Sequence, residues 1–525
     1  MQHQKLNSNL KSDWKFLTII LMIAIAIHIL MWIGWPLHAG ADADTYIYYY
    51  SDFTNPQPVY HHLMCFRTPI APLFFGTLLN AGGALLTSII LEILSLISIL
   101  AIYLIAANWS ILAGRIAALF LIFYVPFQLQ FHQVGTDGLF AFLIIIFCLV
   151  FYLALIKKNL FYWFILAIIV VIMTLTRPAG IIFSLSLFSV FFIKLRWKKV
   201  LLYIMVFVLC ICLPLGGYVL YKGVKYQDYS ISRGFNNTTF YRIFRLQENA
   251  IKPENGPSTE KLVTYIEQYV LTTELYRKYS VTIEDFLTYK PNGRFTSDCL
   301  AIVDIKEGWK SNYKLLSKVA FEAIKASPAS FFKVYTKDLI NINISNVKIT
   351  DMSYIEEKPL RTATESDLSD EKTIEIPTEG EMVPKPAYFW LATRPNGSLP
   401  TTAEEASLKE KAASLIDDYS APNGNQTIRK LFDYLWEAIK IPVIYCWIFG
   451  IVGIVISRDK KRFYILAIIL IFLIYIMGTL QGTPPWLKYR LPLDSILLLA
   501  GVTGFLETAK KIFIFFSKTS QNNKY

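Results

Sequence analysis

FLTIILMIAIAIHILMWIGWPLHAGADADTYIYYYSDF, residues 16–53, decides what kind of molecule this is. Its first half is an apolar run close to the ~20 residues that cross a bilayer as a helix. Its second half sets Asp42, Asp44 and Asp52 among Tyr46, Tyr48, Tyr49 and Tyr50, directly at the mouth of that run. The run is too long for the apolar core of a signal peptide, and no small-residue cleavage pattern stands beside His38 and Ala39, so it is expected to stay in the protein.

Apolar runs of similar length recur along the chain, without an internal repeat. With 54% hydrophobic residues and a positive mean hydropathy, the chain reads as an α-helical polytopic membrane protein of about ten spans. They are expected near 15–36, 83–106, 111–127, 138–156, 160–175, 179–195, 199–221, 435–456, 462–480 and 491–516. Three parts follow: an N-terminal bundle over 1–221, a large extracytoplasmic segment over 222–433, and the last three helices over 434–525.

Lys and Arg in short loops mark the cytoplasmic side. Placing Lys5, Lys11 and Lys15 inside also puts Arg115, Lys157 and Lys158, the Lys194–Lys199 cluster, the Arg458–Arg462 cluster, Lys510 and Lys511 inside. The net charge of +12 is accounted for by this topology and by contact with anionic headgroups, and no nucleic-acid footprint is needed. The expected home is the plasma (inner) membrane, with the polar loops on its extracytoplasmic face.

Within the outer segment, SKVAFEAIKASPASFFKVYTKDLI is amphipathic and suits the membrane surface or the bundle. The acidic run over 351–381 reads as a mobile loop by composition. A capping-box spacing in TAEE restarts a helix at Thr402. Of the six cysteines, Cys65 and Cys299 fall outside the spans and a bridge between them is open. The six histidines suggest no ligand cluster, and no metal spacing is present.

The unusual polar residues gather on the outer side. Asp42 and Asp44 read either as solvated caps of the first helix or as a site, and the tyrosines beside them can stack on a sugar ring. Arg67 is an outward cation in HHLMCFRTPIAP. Asp137 opens a span as an N-cap or as a functional acid, and Arg177 ends one as a snorkelling or a functional arginine. Lys488 and Arg490 in PPWLKYRLP break the cytoplasmic bias, which calls for a nearby anion. Acids and cations gathered on one side suit a particular chemistry: a carboxylate to take a proton from an acceptor hydroxyl, and arginines to hold a lipid phosphate leaving group. An Asp-x-Asp pair can alternatively hold a divalent cation; no other cofactor is implied. Glu92 and Asp494 are the chief charges inside the expected spans.

The order of these motifs resembles a known family. Asp42 with Tyr46, RTPIAP, GTDGLFAFL, LTRPAGI, AIKASPASFFKVY and KYRLPLDSILLLAG are similar to the polyprenyl-phosphate-sugar-dependent glycosyltransferases of the C superfold, which include the protein O-mannosyltransferases and the lipid A aminoarabinose transferases. The resemblance spans most of the membrane segments and omits the acidic outer run. It implies inverting transfer from a polyprenyl-phosphate sugar to a glycan, lipid or protein acceptor. Asp42 or Asp44 would be the base, Arg67, Arg177, Lys488 and Arg490 would bind the donor phosphate, and Tyr46, Tyr50 and Asp137 would line the substrate site. Asp44 departs from the adjacent acidic pair of the O-mannosyltransferases. A polysaccharide polymerase or ligase, or a flippase or transporter, remains the alternative.

Overall fold

In the computed structural model, the described residues are 2–40, 42–193, 195–234, 237–246, 250–288, 293–345, 390–416, 424–439, 443–456, 460–482 and 487–522. The expected acidic loop over 351–381 therefore lies outside them. Helix dominates; the one sheet among the described residues is a two-residue parallel bridge, β1 (His38–Ala39) with β2 (Gln133–Val134).

The apolar runs make helices because in a bilayer only intrasegment hydrogen bonds satisfy the backbone. The first eight helices are α1 (Gln2–Gly34), α2 (Ala43–Phe53), α3 (His61–Phe66), α4 (Ile70–Ala107), α5 (Ile111–Phe123), α6 (Val125–Gln128), α7 (Thr136–Lys157) and α8 (Leu160–Thr176). A 3₁₀ segment over Pro178–Phe192 leads into α9 (Trp197–Tyr226). Among the described residues six helices are long and apolar enough to cross a membrane, or eight if each of two bent pairs is one span. Ile19, Met22, Ile25 and Ile29 of α1 are exposed, as are Leu213 and Leu220 of α9, leaving apolar faces suited to lipid. The protein is thus a multi-pass helical membrane protein. Reaching the expected ten spans requires counting α8 and the 3₁₀ segment as well.

Four expected spans differ in form, one of them, near 435–456, falling on the second bent pair, Gln426–Ile439 with Val443–Ile456. The one near 83–106 is the second part of α4, which starts at Ile70 and breaks at Gly82–Gly83, where Gly83 takes a φ of 62° that a side chain would resist. The one near 111–127 bends by 69° between α5 and the segment Val125–His132. Pro126 sits in the first turn of that segment, where its missing N–H costs no helical bond. The one near 179–195 is the 3₁₀ segment. At ~2.0 Å per residue its length comes to about 30 Å, a hydrocarbon thickness that the same residues as α-helix would not reach.

Beyond α9, a second core forms around Phe240, Leu262, Ile266, Phe286, Cys299 and Leu316. Arg233 fixes this region to the bundle. It donates to Asp304 Oδ1 at 2.5 Å and to the Trp309 carbonyl, while Tyr313 Oη donates to Asp304 and lies 2.5 Å from His62 Nε2 of α3. The long amphipathic stretch divides at Ser327–Pro328 into the helices Lys314–Ala326 and Pro328–Ile344. The first buries Leu316, Val319 and Ala320 in the second core; the second meets the bundle through Tyr335 Oη on the Met477 carbonyl.

Two smaller expectations are corrected. Cys65 and Cys299 are free thiols, one buried in each core, so no bridge joins them. The capping box belongs to Thr401 and Glu404, one residue before the TAEE pairing, although the helix does begin at Thr402.

Candidate active site

The β1–β2 bridge builds the site's floor. Gly40 N–H donates to Val134 O at 3.1 Å, and a Cβ at Gly40 would stand 2.7 Å from that oxygen, so the close approach needs glycine. The bridge lays the Asp42–Asp44 turn beside Thr136 and Asp137, the first residues of α7. Asp42 is the N-cap of α2 without capping through its side chain, which leaves the carboxylate free to face elsewhere. Thr45 holds the turn, donating its hydroxyl to the Asp42 carbonyl at 2.7 Å and its N–H to Asp44 Oδ1 at 2.8 Å.

The cations arrive from two helix ends. Arg67 follows α3 in extended backbone, ahead of Thr68–Pro69, a sequence that disfavours helix. Thr68 Oγ1 donates to the Thr176 carbonyl at 3.1 Å, which ties this turn to the end of α8, where Arg177 precedes Pro178. Arg67 Nη2 donates to Asp42 Oδ1 at 2.7 Å. Arg177 donates through Nε to Thr136 Oγ1 at 2.8 Å and through Nη2 to Asp137. Tyr46 completes the link: its ring lies under Arg67 at 5.3 Å, stacks on Phe75, and its hydroxyl donates to Thr136 Oγ1 at 3.5 Å.

The two first-loop acids have opposite electrostatics. Burial raises the Asp42 carboxyl, but Arg67, Lys488 and Arg177 outweigh it and hold it at about 2. The Asp44 carboxyl is raised, by burial first and by the charge of Asp42 among the smaller causes, against the Thr45 N–H. Tyr46 is pushed up to about 12, mainly by burial and then by Asp42, so it remains a proton donor at neutral pH. The Asp42 side chain is 42% exposed and Arg67 19%, so the pair is open to a ligand. Arg67 Nε and Arg177 Nη1 are buried without a hydrogen-bond partner of good geometry, and the hydroxyl of Tyr475 lies beside Arg177 and interacts with it.

Asp42, Asp44, Tyr46, Arg67, Asp137, Arg177 and the charge of Lys488 are thus brought together. Arg490 is not. It is fully buried, forked onto Asp494 at 2.9 and 3.3 Å, and gives Nη1 to the carbonyls of Ile342 and Ser345 at the end of the helix Pro328–Ile344. The Tyr124 hydroxyl completes the Asp494 pair. Arg490 is therefore occupied as a clamp between segments, and the nearby anion expected for it is Asp494. Tyr50 packs against Gly76 of α4, where any Cβ would collide with its ring. Asp52, fully buried in the last turn of α2, accepts the Tyr60 N–H at 3.0 Å. Sequence reasoning missed Thr136 and Tyr475. Thr136 adjoins Asp137 and could have been read with it; a lone tyrosine inside an apolar run carries no such signal.

A divalent cation at the mouth would have to compete with the arginines for Asp42 and Asp137. Among the described residues one group of three could hold a metal, and it lies apart: His28, Glu92 and His132. The expectation that the histidines form no ligand cluster is corrected by this group, whose members are too far apart in sequence for spacing to show it.

No protein-family model matches the chain, and no curated protein matches it. Among solved structures the chain is similar to two from Archaeoglobus fulgidus. One is an oligosaccharyltransferase in complex with Zn and sulfate, 14% identical with a TM-score of 0.41 over 95% of this chain and 49% of that one. The other is the oligosaccharyltransferase AglB in complex with an inhibitory peptide and a dolichol-phosphate, 15% identical with a TM-score of 0.40 over 98% and 52%. This chain spans about half the length of either, and a likeness this distant transfers neither their chemistry nor their partners to it.

Proposed function

We propose that this protein is an inverting glycosyltransferase. It moves a sugar from a polyprenyl-phosphate donor to a hydroxyl of an extracytoplasmic acceptor, with lipid A, polysaccharide and protein as the acceptor classes. The observation that supports this most directly is the grouping of Arg67, Arg177 and Lys488 around Asp42, with two arginine N–H groups left unpartnered beside it. Buried guanidinium donors without acceptors are costly unless a ligand supplies the acceptor, and a phosphate does so with charge.

The chemistry follows from the same groups. The acceptor oxygen bonds to C1 of the sugar as the bond from C1 to the phosphate oxygen breaks. The electron pair leaves with the polyprenyl phosphate, whose second pKa near ~6 makes it a largely dianionic leaving group at neutral pH. Arg67 and Arg177 stabilise that charge, and no acid is needed. The acceptor proton goes to Asp44, which is the more basic of the two carboxylates, while Asp42 positions Arg67.

The test is direct. Purified protein in detergent or liposomes, given a radiolabelled polyprenyl-phosphate sugar and a mixed acceptor fraction, should yield a labelled product extractable with one acceptor class. Movement of donor across a liposome bilayer with no labelled product would instead mark a flippase.

A further inference from the structure

Three side chains from distant parts of the sequence converge below the β1–β2 bridge. His28 Nδ1 of α1 lies 2.5 Å from Glu92 Oε2 of α4, and His132 Nε2 lies 3.3 Å from Glu92 Oε1. One donor atom from each falls within 4.8 Å of the other two. The histidines are 4% and 2% exposed. Despite these short distances, His28 Nδ1, Glu92 Oε2 and His132 Nε2 all lack a hydrogen-bond partner of acceptable geometry. Three potential ligand atoms are thus gathered in one largely buried cluster, with Glu92 between the two histidines.

The surrounding hydrogen bonds engage one of the two His28 nitrogens. Gln128 Nε2 donates to the Leu121 carbonyl at 2.5 Å, so Gln128 Oε1 must accept, and it takes the Ser95 hydroxyl at 2.6 Å. The Ser95 oxygen is then the acceptor at its 3.2 Å contact with His28 Nε2. His28 Nε2 is thus engaged with Ser95, which leaves Nδ1, 2.5 Å from Glu92, as the nitrogen available to a metal. His132 is likewise oriented by a hydrogen bond to the Trp35 backbone. Orienting the remote nitrogen of a histidine in this way is what metal ligands require.

We propose that His28, Glu92 and His132 bind one transition-metal ion, of which zinc suits the two-nitrogen, one-oxygen donor set best. Magnesium and calcium prefer oxygen shells and are disfavoured. The ion cross-links α1, α4 and the turn before β2. Since His132 immediately precedes Gln133, whose pairing with His38 sets the height of the Asp42–Asp44 turn, the site braces the floor of the proposed active site. Three protein ligands leave a fourth position for water, and the site takes no part in the proposed transfer and stands independently of it.

The full-length, tag-free protein in detergent, stripped with chelator and then given zinc, should retain about one equivalent after desalting and melt at a higher temperature than the stripped form. Cobalt in place of zinc should give the visible absorption of a low-symmetry nitrogen–oxygen site. His132→Ala and Glu92→Gln should each lose the metal, and His28→Cys, which supplies a thiolate, should keep it. Asp42→Asn with Asp44→Asn should keep it too, which separates this site from the mouth. The proposal is overturned if the stripped wild-type protein takes up no zinc and its melting is unchanged by the metal. It is equally overturned if His132→Ala with Glu92→Gln holds zinc as the wild type does, or if the mouth variant is the one that loses it.

Discussion

Arg67 Nη2 and Asp42 Oδ1 form a 2.7 Å ion pair that joins the mouth of the first span to the turn before α4. The pair gives the two first-loop acids different tasks. Asp42 is bound to a cation and strongly acidic, whereas Asp44 has no ion pair among the described residues and a raised pKa. An ordinary reading of Asp-x-Asp treats its members as equals; here the position of one arginine separates them.

Arg177 makes its bonds to Thr136 and Asp137 through Nε and Nη2, keeping Nη1 for the site. Lysine preserves the charge and loses the planar fork. Arg177→Lys should therefore raise the KM for donor by ~10- to 100-fold, the equivalent of a charged hydrogen bond or two, and lower kcat as well. Steady-state kinetics with varied polyprenyl-phosphate sugar check this. Unchanged kinetics would return Arg177 to the role of a snorkelling residue.

Arg490 should behave differently although it too is an arginine at a helix start. Arg490→Met leaves Asp494 buried without its partner, a loss on the order of 3–5 kcal/mol, so a markedly lower Tm in detergent is expected. Removing both charges with Arg490→Met and Asp494→Leu should recover much of it. The fraction of Arg490→Met that remains folded should bind donor with wild-type affinity. A weakened donor affinity with unchanged Tm would place Arg490 back in the phosphate pocket.

The membrane class was legible because hydrophobic run length is a direct reading of bilayer thickness, and so was the candidate site, because acids and arginines at span mouths are conspicuous against apolar sequence. What could not be read was pairing. Arg490 and Asp494 lie four residues apart, one turn of a helix, yet the guanidinium's other partners are the carbonyls of Ile342 and Ser345, far away in sequence. Glu92 could be read only as a charge within a span, and its partners could not, because His28 and His132 reach it only in three dimensions. The 3₁₀ form of Pro178–Phe192 was hidden too, since its apolar composition fits either helix type.

The sidedness expectation rests on the basic clusters of the short loops, which a ten-span alternation would put on one side. Single cysteines at the exposed positions Gln57 and Asn396 should react in intact cells with an impermeant thiol reagent, relative to the parent chain. One at Lys198, exposed in the basic cluster before α9, should react only after permeabilisation. Labelling at Lys198 with protection at Gln57 would invert the topology and move the proposed site to the cytoplasmic face.

The last prediction concerns the two acids and has a definite sign. A base acts only when ionised, so kcat/KM should fall with decreasing pH as Asp44 takes up its proton, at a pH above the ~3.9 of an ordinary aspartate. Asp44→Asn should remove this acid limb and reduce transfer by ~10²- to 10⁴-fold. Asp42→Asn withdraws the negative neighbour that helps Asp44 hold its proton, so its acid limb should move to lower pH, while the rate falls because Arg67 has lost its anchor. Stability runs through the other carboxyl. With Asp42 depressed to about 2, the stabilisation from its ion pair is present above ~3.9 and is lost as pH falls toward 2. The wild-type melting temperature should drop across that window by more than that of Asp42→Asn. Near-normal transfer by the Asp42→Asn, Asp44→Asn double variant at saturating donor, with the acid limb unmoved, would leave the loop as a solvated cap on α2 and nothing more.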